Sequence, residues 1–137
     1  MILKSKVFIV TGASSGIGEA LTKELAREGA IVVCASRKQA KLEELVREIS
    51  KAGGQAVLYK TDVTVLDQCI ALKKFVIEKY GRIDAIVLNA GVSMWAKFDE
   101  LEDIKFFRDI MDVNYHGAVN CVHAVIEEIK KTNGKII

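Results

Sequence analysis

Residues 11–18, TGASSGIG, are the stretch on which the reading of this chain turns. Three glycines and three hydroxyls separate an apolar run, KVFIV at 6–10, from a helical pattern that begins at Ile17. A strand that passes through a glycine-rich turn into a helix brings backbone N–H groups and the positive end of the helix dipole together, which suits an anion such as phosphate. Each glycine has a reason in that setting: Gly12 for a tight turn, Gly16 for close approach of backbone to a pyrophosphate, Gly18 for packing of helix on strand. Ser14 and Ser15 add hydroxyl donors or a helix cap. The spacing G-x3-G-x-G matches neither the Walker loop, which needs GK followed by Ser or Thr, nor the commoner G-x-G-x-x-G, and a turn that binds nothing is the alternative reading.

Outward from the motif, short Val- and Ile-rich runs recur at AIVVCA (30–35), QAVLYK (55–60) and AIVLNA (85–90), each bounded by glycine or polar residues. Continuous apolar runs of this length suit parallel strands buried on both faces. Helical patterns lie between them. The first runs from Ile17 to about Glu28 with Ala20, Leu21 and Leu25 on one face, and ends at Gly29. The second places Leu42, Leu45, Val46 and Ile49 at i, i+3, i+4 and i+7 before Gly53-Gly54, and the third uses Leu66, Cys69, Leu72, Val76 and Tyr80 before Gly81. A long fourth helix is expected over Asp103 to Lys131, with Ala118, Val122, Val125 and Ile129 on one face, after which KII starts a fifth strand that the chain leaves unfinished. Alternating strand and helix implies right-handed crossovers and an α/β, doubly wound parallel sheet in a single domain spanning residues 1–137.

Polar signals fall at the ends of the other strands as well. Ser36-Arg37 closes the second, Thr61-Asp62 the third and Asn89-Ala90-Gly91 the fourth. In an open α/β sheet ligands bind outside the carboxyl ends of the strands, so four signals on one edge describe one extended site. With MDVN at 111–114 added, the set TGASSGIG, SR, DV and NAG resembles the short-chain dehydrogenase/reductase family in order and spacing over the whole chain. The resemblance implies a Rossmann-like strand order of 3-2-1-4-5 and an oxidoreductase that passes hydride between NAD(P) and a carbonyl or alcohol. By the same resemblance Gly12, Ser14, Ser15, Gly16, Ile17 and Gly18 hold the pyrophosphate, Asp62 bonds the adenine amino group with Val63 beside it, and Asn89, Ala90 and Gly91 line the ribose side. Asn114 would be the helix asparagine of the catalytic tetrad, which helps to hold a proton-relay water. Other readings stay open: Asp62 as a turn residue before a Thr64-x-x-Asp67 capping box, Asn114 as a mid-helix polar residue bonded to a neighbouring strand, and Arg37 as a solvated charge. Leu88 departs from the second asparagine that many members carry there.

Cofactor choice follows from the end of the second strand. NAD-specific sites place a carboxylate there for the ribose 2′-OH, which would repel the 2′-phosphate of NADP. Here Ser36 stands in that place and Arg37 follows, whose guanidinium can pair with phosphate and stack on adenine, so NADP(H) is favoured over NAD(H). Against this, the basic residue that NADP-preferring members often place before the second motif glycine is Ser15 here. The reaction needs a proton donor, which the family provides as Tyr and Lys four apart, plus a Ser. Tyr59, Tyr80 and Tyr115 are followed at that spacing by Val63, Asp84 and Val119, so none qualifies. The family places all three groups downstream of the position equivalent to Ile137. The expectation is a cofactor-binding portion that is inactive alone, with a non-catalytic dinucleotide-binding or assembly module as the alternative. Without the family's next helix, an apolar face is expected to stay open, and self-association is expected through Ile104 to Ile129.

Composition closes off other classes. Twenty Lys and Arg against 18 Asp and Glu give a net charge of +2, no basis for nucleic-acid or acidic-lipid binding. No apolar run reaches membrane-spanning or signal-peptide length, so a cytoplasmic protein is expected. Cys34, Cys69 and Cys121 form no CxxC pair and read as reduced packing residues rather than metal ligands. His116 and His123 read as surface or packing residues, and Met94 and Trp95 as loop residues that border either a substrate cleft or nothing but the loop itself.

Overall fold

The apolar runs become strands because both faces of each are covered. A computed structural model of the chain describes residues 2–137. In chain order the elements are β1 (Val7–Thr11), α1 (Gly16–Arg27), β2 (Ile31–Ser36), α2 (Gln39–Lys51), β3 (Gln55–Lys60), α3 (Leu66–Tyr80), β4 (Ala85–Val87), α4 (Lys105–Met111), α5 (Gly117–Thr132) and β5 (Lys135–Ile136). The strands form one parallel sheet in the order β3-β2-β1-β4-β5, the doubly wound, Rossmann-like arrangement expected from the sequence. Ile9 lies level with Val33 and Ile86 and points to one face, where Cys69, Leu72 and Val76 of α3 and Cys121, Val125 and Ile129 of α5 cover it. The next rank, Val10, Cys34 and Val87, points to the other face beneath Leu25 and Ala26 of α1 and Leu42, Leu45 and Ile49 of α2. Alternation with an apolar residue at each step is what a sheet with two cores requires. Each fully covered Val, Leu or Ile contributes about 1.5–3 kcal/mol.

At the amino-terminal edge of the sheet, Asp84 ties strands together. Its carboxylate, 8% exposed, accepts the Val7 N–H at 2.9 Å, Arg82 Nε and Nη2 at 2.8 and 2.6 Å, and Lys6 Nζ at 3.3 Å. Burial alone would raise this carboxyl, but Arg82, the Val7 N–H and Lys6 together outweigh it and hold the group below the usual carboxylate range.

Several helix details depart from the periodicity. In α1 the buried residues are Gly18, Thr22, Leu25 and Ala26, while Ala20 is exposed; Thr22 is tolerated inside because its hydroxyl donates to the Gly18 carbonyl at 2.8 Å. In α5 the buried row is Gly117, Cys121, Val125 and Ile129 rather than one led by Ala118 and Val122. Gly117 sets that rotation, since its missing Cβ leaves room for the Val63 side chain. The expected single helix from Asp103 is α4 and α5 joined by a turn of π-helix at Asp112–His116. Asp103 lies ahead of α4, where Oδ1 accepts the Lys105 N–H at 2.8 Å. The fourth strand ends at Val87 instead of Ala90, because the Ala90 N–H turns to the Thr11 hydroxyl at 3.0 Å. KII does begin β5: the Lys135 and Ile137 N–H groups bond to the carbonyls of Asp84 and Ile86.

Candidate functional site

Parallel strands deliver all their carboxyl ends to one edge, and the sheet order reverses between β1 and β4, which opens a crevice there. A cleft of about 250 Å³ occupies that position. Ten of the thirteen residues expected at the cofactor line it: Gly12, Ser14, Ser15, Ser36, Arg37, Asp62, Val63, Asn89, Ala90 and Gly91. Gly16, Ile17 and Gly18 stand at the start of α1 beside the cleft rather than in its wall.

The wall is built from reciprocal hydrogen bonds. Thr11 donates its hydroxyl to the Val87 carbonyl at 3.2 Å and accepts the Ala90 N–H, while Asn89 Nδ2 reaches the carbonyls of Thr11 and Gly12 at 3.1 and 3.2 Å. A Cβ on Gly18 would collide with both the Gly12 carbonyl and the Asn89 amide, so α1, the β1 turn and the β4 turn pack as one unit. Gly16 differs: nothing lies within 4 Å of where a Cβ would stand, and its requirement is the left-handed φ of +57°. Ser15 occupies the N-cap position but its hydroxyl makes no capping bond, a correction to the cap reading. The first N–H groups of α1 therefore lack a side-chain acceptor and can serve an anion.

At the end of β2, the Ser36 hydroxyl donates to the buried Ser14 hydroxyl at 2.8 Å and accepts the Lys38 N–H at 3.1 Å. The glycine-rich turn and the turn that carries Arg37 are thus joined. Arg37 and Lys38 are exposed and, among the described residues, make no ion pair. Lys38 lines the cleft, and sequence reasoning passed over it although two consecutive cations follow Ser36. Val92 and Val113 were missed likewise, whereas Thr61, named with Asp62 at the end of the third strand, does line the cleft.

Asp62 Oδ1 accepts both the N–H and the hydroxyl of Thr64, at 2.9 and 2.7 Å. Asp62 is therefore the turn residue before α3, and the Thr64 to Asp67 capping box does not form; it lines the cleft all the same. Val63 is buried beside it and its carbonyl accepts Asn120 Nδ2 at 2.9 Å.

Asn114 stands apart from the cleft on the π-helical turn. Its Oδ1 accepts the Val92 N–H and its Nδ2 donates to the Val92 carbonyl, both at 2.8 Å. Its partner is the loop after β4, not a strand, and that loop is held at one end by Thr11 and at the other by Asn114. On its outer side Asn114 borders an open groove of about 400 Å³ with Tyr115, Ala118, Val119, Val122 and His123. His116 and His123 are exposed, His116 edge-on to Tyr115 with ring centroids 5.2 Å apart. Leu88 packs into the core, Met94 is half-buried and Trp95 is fully exposed. Among the described residues no His, Cys, Asp or Glu cluster suits a metal, and no helix is long and apolar enough to cross a membrane.

Residues 6–137 match the family model described as short chain dehydrogenase. The chain belongs to the short-chain dehydrogenase family. This short-chain dehydrogenase sequence is 41% identical, over all of its length, to an uncharacterized oxidoreductase of Listeria innocua, of which it covers 55%. It is 37% identical over 98% of its length to 11-beta-hydroxysteroid dehydrogenase 1A of Arabidopsis thaliana, of which it covers 39%. The chain thus spans about half the length, or less, of these curated relatives. Among solved structures, an alcohol dehydrogenase from the archaeon Thermococcus sibiricus complexed with 5-hydroxy-NADP superposes with a TM-score of 0.90 at 30% identity, over 97% of this chain and 57% of that one. A double mutant of a Serratia marcescens short-chain dehydrogenase/reductase gives 0.88 at 27% identity, over 98% and 54%. The family's oxidoreductases use NAD(P), and the cleft lies where such a dinucleotide is held in doubly wound sheets.

Proposed function

We propose that residues 1–137 form one NADP(H)-binding domain, the cofactor-binding portion of an oxidoreductase that passes hydride between NADP(H) and a carbonyl or alcohol. One observation carries the cofactor choice: at the end of β2 the cleft presents Ser36, Arg37 and Lys38, with no carboxylate there and with both cations unpaired among the described residues. The residues fit the group. The uncapped start of α1, the left-handed Gly16 and the hydroxyls of Ser14 and Ser15 bind the pyrophosphate, with Ile17 and Gly18 completing the turn. Arg37 and Lys38 neutralise the 2′-phosphate, and Ser36 fixes their turn relative to Ser14. Asp62 keeps one carboxylate oxygen for the adenine amino group, Val63 lies beside it, and Asn89, Ala90 and Gly91 line the ribose side.

The nicotinamide supplies the hydride when bound. The residues of this chain bind it, orient it and hold the loop after β4 in place. Asn114 holds that loop with its Oδ1 and one amide N–H, and its second amide N–H, on an exposed side chain, stays free for a water or a substrate. A proton donor of the Tyr-x-x-x-Lys kind is not among these residues, so the 137-residue chain binds without turnover. NADPH fluorescence titration paired with a carbonyl-reduction assay tests this: binding without reduction is expected, and measurable turnover would overturn the account of the proton donor. The three cysteines, free of disulfides in the structure, support a cytosolic location. Exposed Ile104, Phe106, Phe107, Met111, Tyr115 and Val119 support a homodimer through the segment from Ile104 to Ile129.

A further inference from the structure

Behind the Val63 wall of the cleft two thiols face each other. Cys69 of α3 and Cys121 of α5 are 1% and 2% exposed, with their sulfurs 3.8 Å apart. Cys69 Sγ also donates to the Val63 carbonyl at 3.6 Å. A cavity of about 10 Å³, roomy enough for one water-sized molecule, touches Cys121. Val63 and Ala90 line both this cavity and the cleft, so the two spaces are neighbours across those residues.

We propose that Cys69 and Cys121 form an oxidation site for hydrogen peroxide, closing to a disulfide that ties α3 to α5 and weakens dinucleotide binding in the adjoining cleft. The coupling to binding rests on the cofactor reading above; the oxidation site does not. Either thiol can donate to the other; with Cys121 as the donor the contact favours the Cys69 thiolate and pushes the Cys121 thiol up, and Cys69 is then the attacking sulfur. The Cys69 sulfur attacks one peroxide oxygen, the O–O bond breaks, and the departing oxygen leaves as water with the thiol proton. The resulting Cys69 sulfenic acid is attacked by the Cys121 sulfur: the S–S bond forms, the S–O bond breaks, and the hydroxide leaves as water with the proton of Cys121. Two thiols lose two electrons in all and one peroxide gains them.

A disulfide bond is about 2.05 Å, so the sulfurs must close by roughly 1.8 Å. Cys69 then gives up its bond to the Val63 carbonyl, and Val63 is the buried residue that packs against Gly117 and lines the cleft. Cys34 provides an internal comparison. It lies in the other core beneath α1 and α2, burial pushes its thiol up to about 12, and the polar contact of its sulfur is the Val32 carbonyl at 4.0 Å.

The test treats the purified protein with hydrogen peroxide under native conditions, maps its cysteines by mass spectrometry and titrates it with NADPH before and after. Expected are a Cys69–Cys121 cross-linked peptide reversed by dithiothreitol, a reduced Cys34, slower cross-linking when NADPH is present, and NADPH affinity lower by about tenfold after oxidation. Cys121→Ala and Cys69→Ala should each bind NADPH when reduced, form no cross-link and keep their affinity after peroxide. Sulfinic or sulfonic acid at Cys69 without a cross-link, or reaction only after denaturation, overturns the site. A cross-link that leaves NADPH affinity unchanged overturns the coupling. Failure of the reduced protein to bind NADPH refutes the cofactor reading instead and leaves the cross-link to be judged by itself.

Discussion

Ser36 does more at the cleft than leave out a carboxylate. Its hydroxyl joins the turn of Ser14 to the turn of Arg37 and Lys38, so exchanging it alters both the charge and the geometry presented to a ribose. Arg37→Ala should weaken NADPH binding by about ten- to a hundredfold, the loss of one charge-assisted bond of about 1.5–3 kcal/mol, and leave NADH binding nearly unchanged. Ser36→Asp should go further and invert the preference toward NADH, since the carboxylate repels a 2′-phosphate and accepts a 2′-OH. Fluorescence titration with both cofactors reads the two results; equal losses for NADPH and NADH in Arg37→Ala would remove Arg37 from the cofactor assignment. The glycines of the motif separate in the same way. Gly16→Ala should cost about 1–2 kcal/mol for its backbone conformation alone, whereas Gly18→Ala drives a methyl into the Gly12 carbonyl and Asn89 amide and should cost more, with α1 displaced from the β1 turn. Thermal melts of the two variants rank them, and equal destabilisation would contradict the packing described for Gly18.

Among the elements, the π-helical turn between α4 and α5 has the clearest task. It presents Asn114 to the backbone of Val92, and two bonds of 2.8 Å fix the loop that follows β4. Asn114→Ala should raise hydrogen exchange at Val92 and neighbouring amides and lower stability by about 1–2 kcal/mol, with the sheet amides unchanged. Protection at Val92 equal to that of the parent would show that the loop does not depend on the asparagine. The elements also show what the sequence disclosed. Strands and crossover helices were legible because apolar runs and 3.6-residue periodicity report burial directly, and the cleft was legible because parallel strands place their ends together. The π turn was not, since MDVNYH continues a helical pattern and the extra residue shows only in which carbonyl each N–H reaches. The buried row of α5 was missed because Gly117 carries no hydropathy signal, yet its lack of a side chain sets the rotation. Asp84, hidden in a strand-like run, reads as a break in polarity until its three partners are seen.

For the whole molecule, the decisive charge lies at the edge opposite the cleft. Asp84 is ionised in the native state at a pH where an unfolded chain would hold its proton, so the sign of its effect is fixed. Its stabilisation is fully present above the ordinary Asp value of about 3.9 and is lost as pH falls through the depressed native value. Asp84→Asn should lower stability near neutrality by about 2 kcal/mol, a figure reduced because Arg82 and Lys6 are half-exposed, and should flatten the acid limb of a stability profile. An unchanged acid limb would assign that slope to other carboxylates. Association belongs to this scale too. Light scattering after size exclusion should report a dimer or larger species, and Phe107→Glu with Met111→Glu should shift it to monomer; a monomeric parent at high concentration would dismiss the proposed interface.

The placement of these features has a further meaning. The ion-paired carboxylate that fastens β1 to β4 sits at one end of the strands, and Arg37 and Lys38, whose cationic groups no other described side chain pairs, sit at the other. Exchanges of the Arg37 and Lys38 side chains should therefore cost the fold little, so the charge offered to a nucleotide can be altered without disturbing the edge that Asp84 fastens.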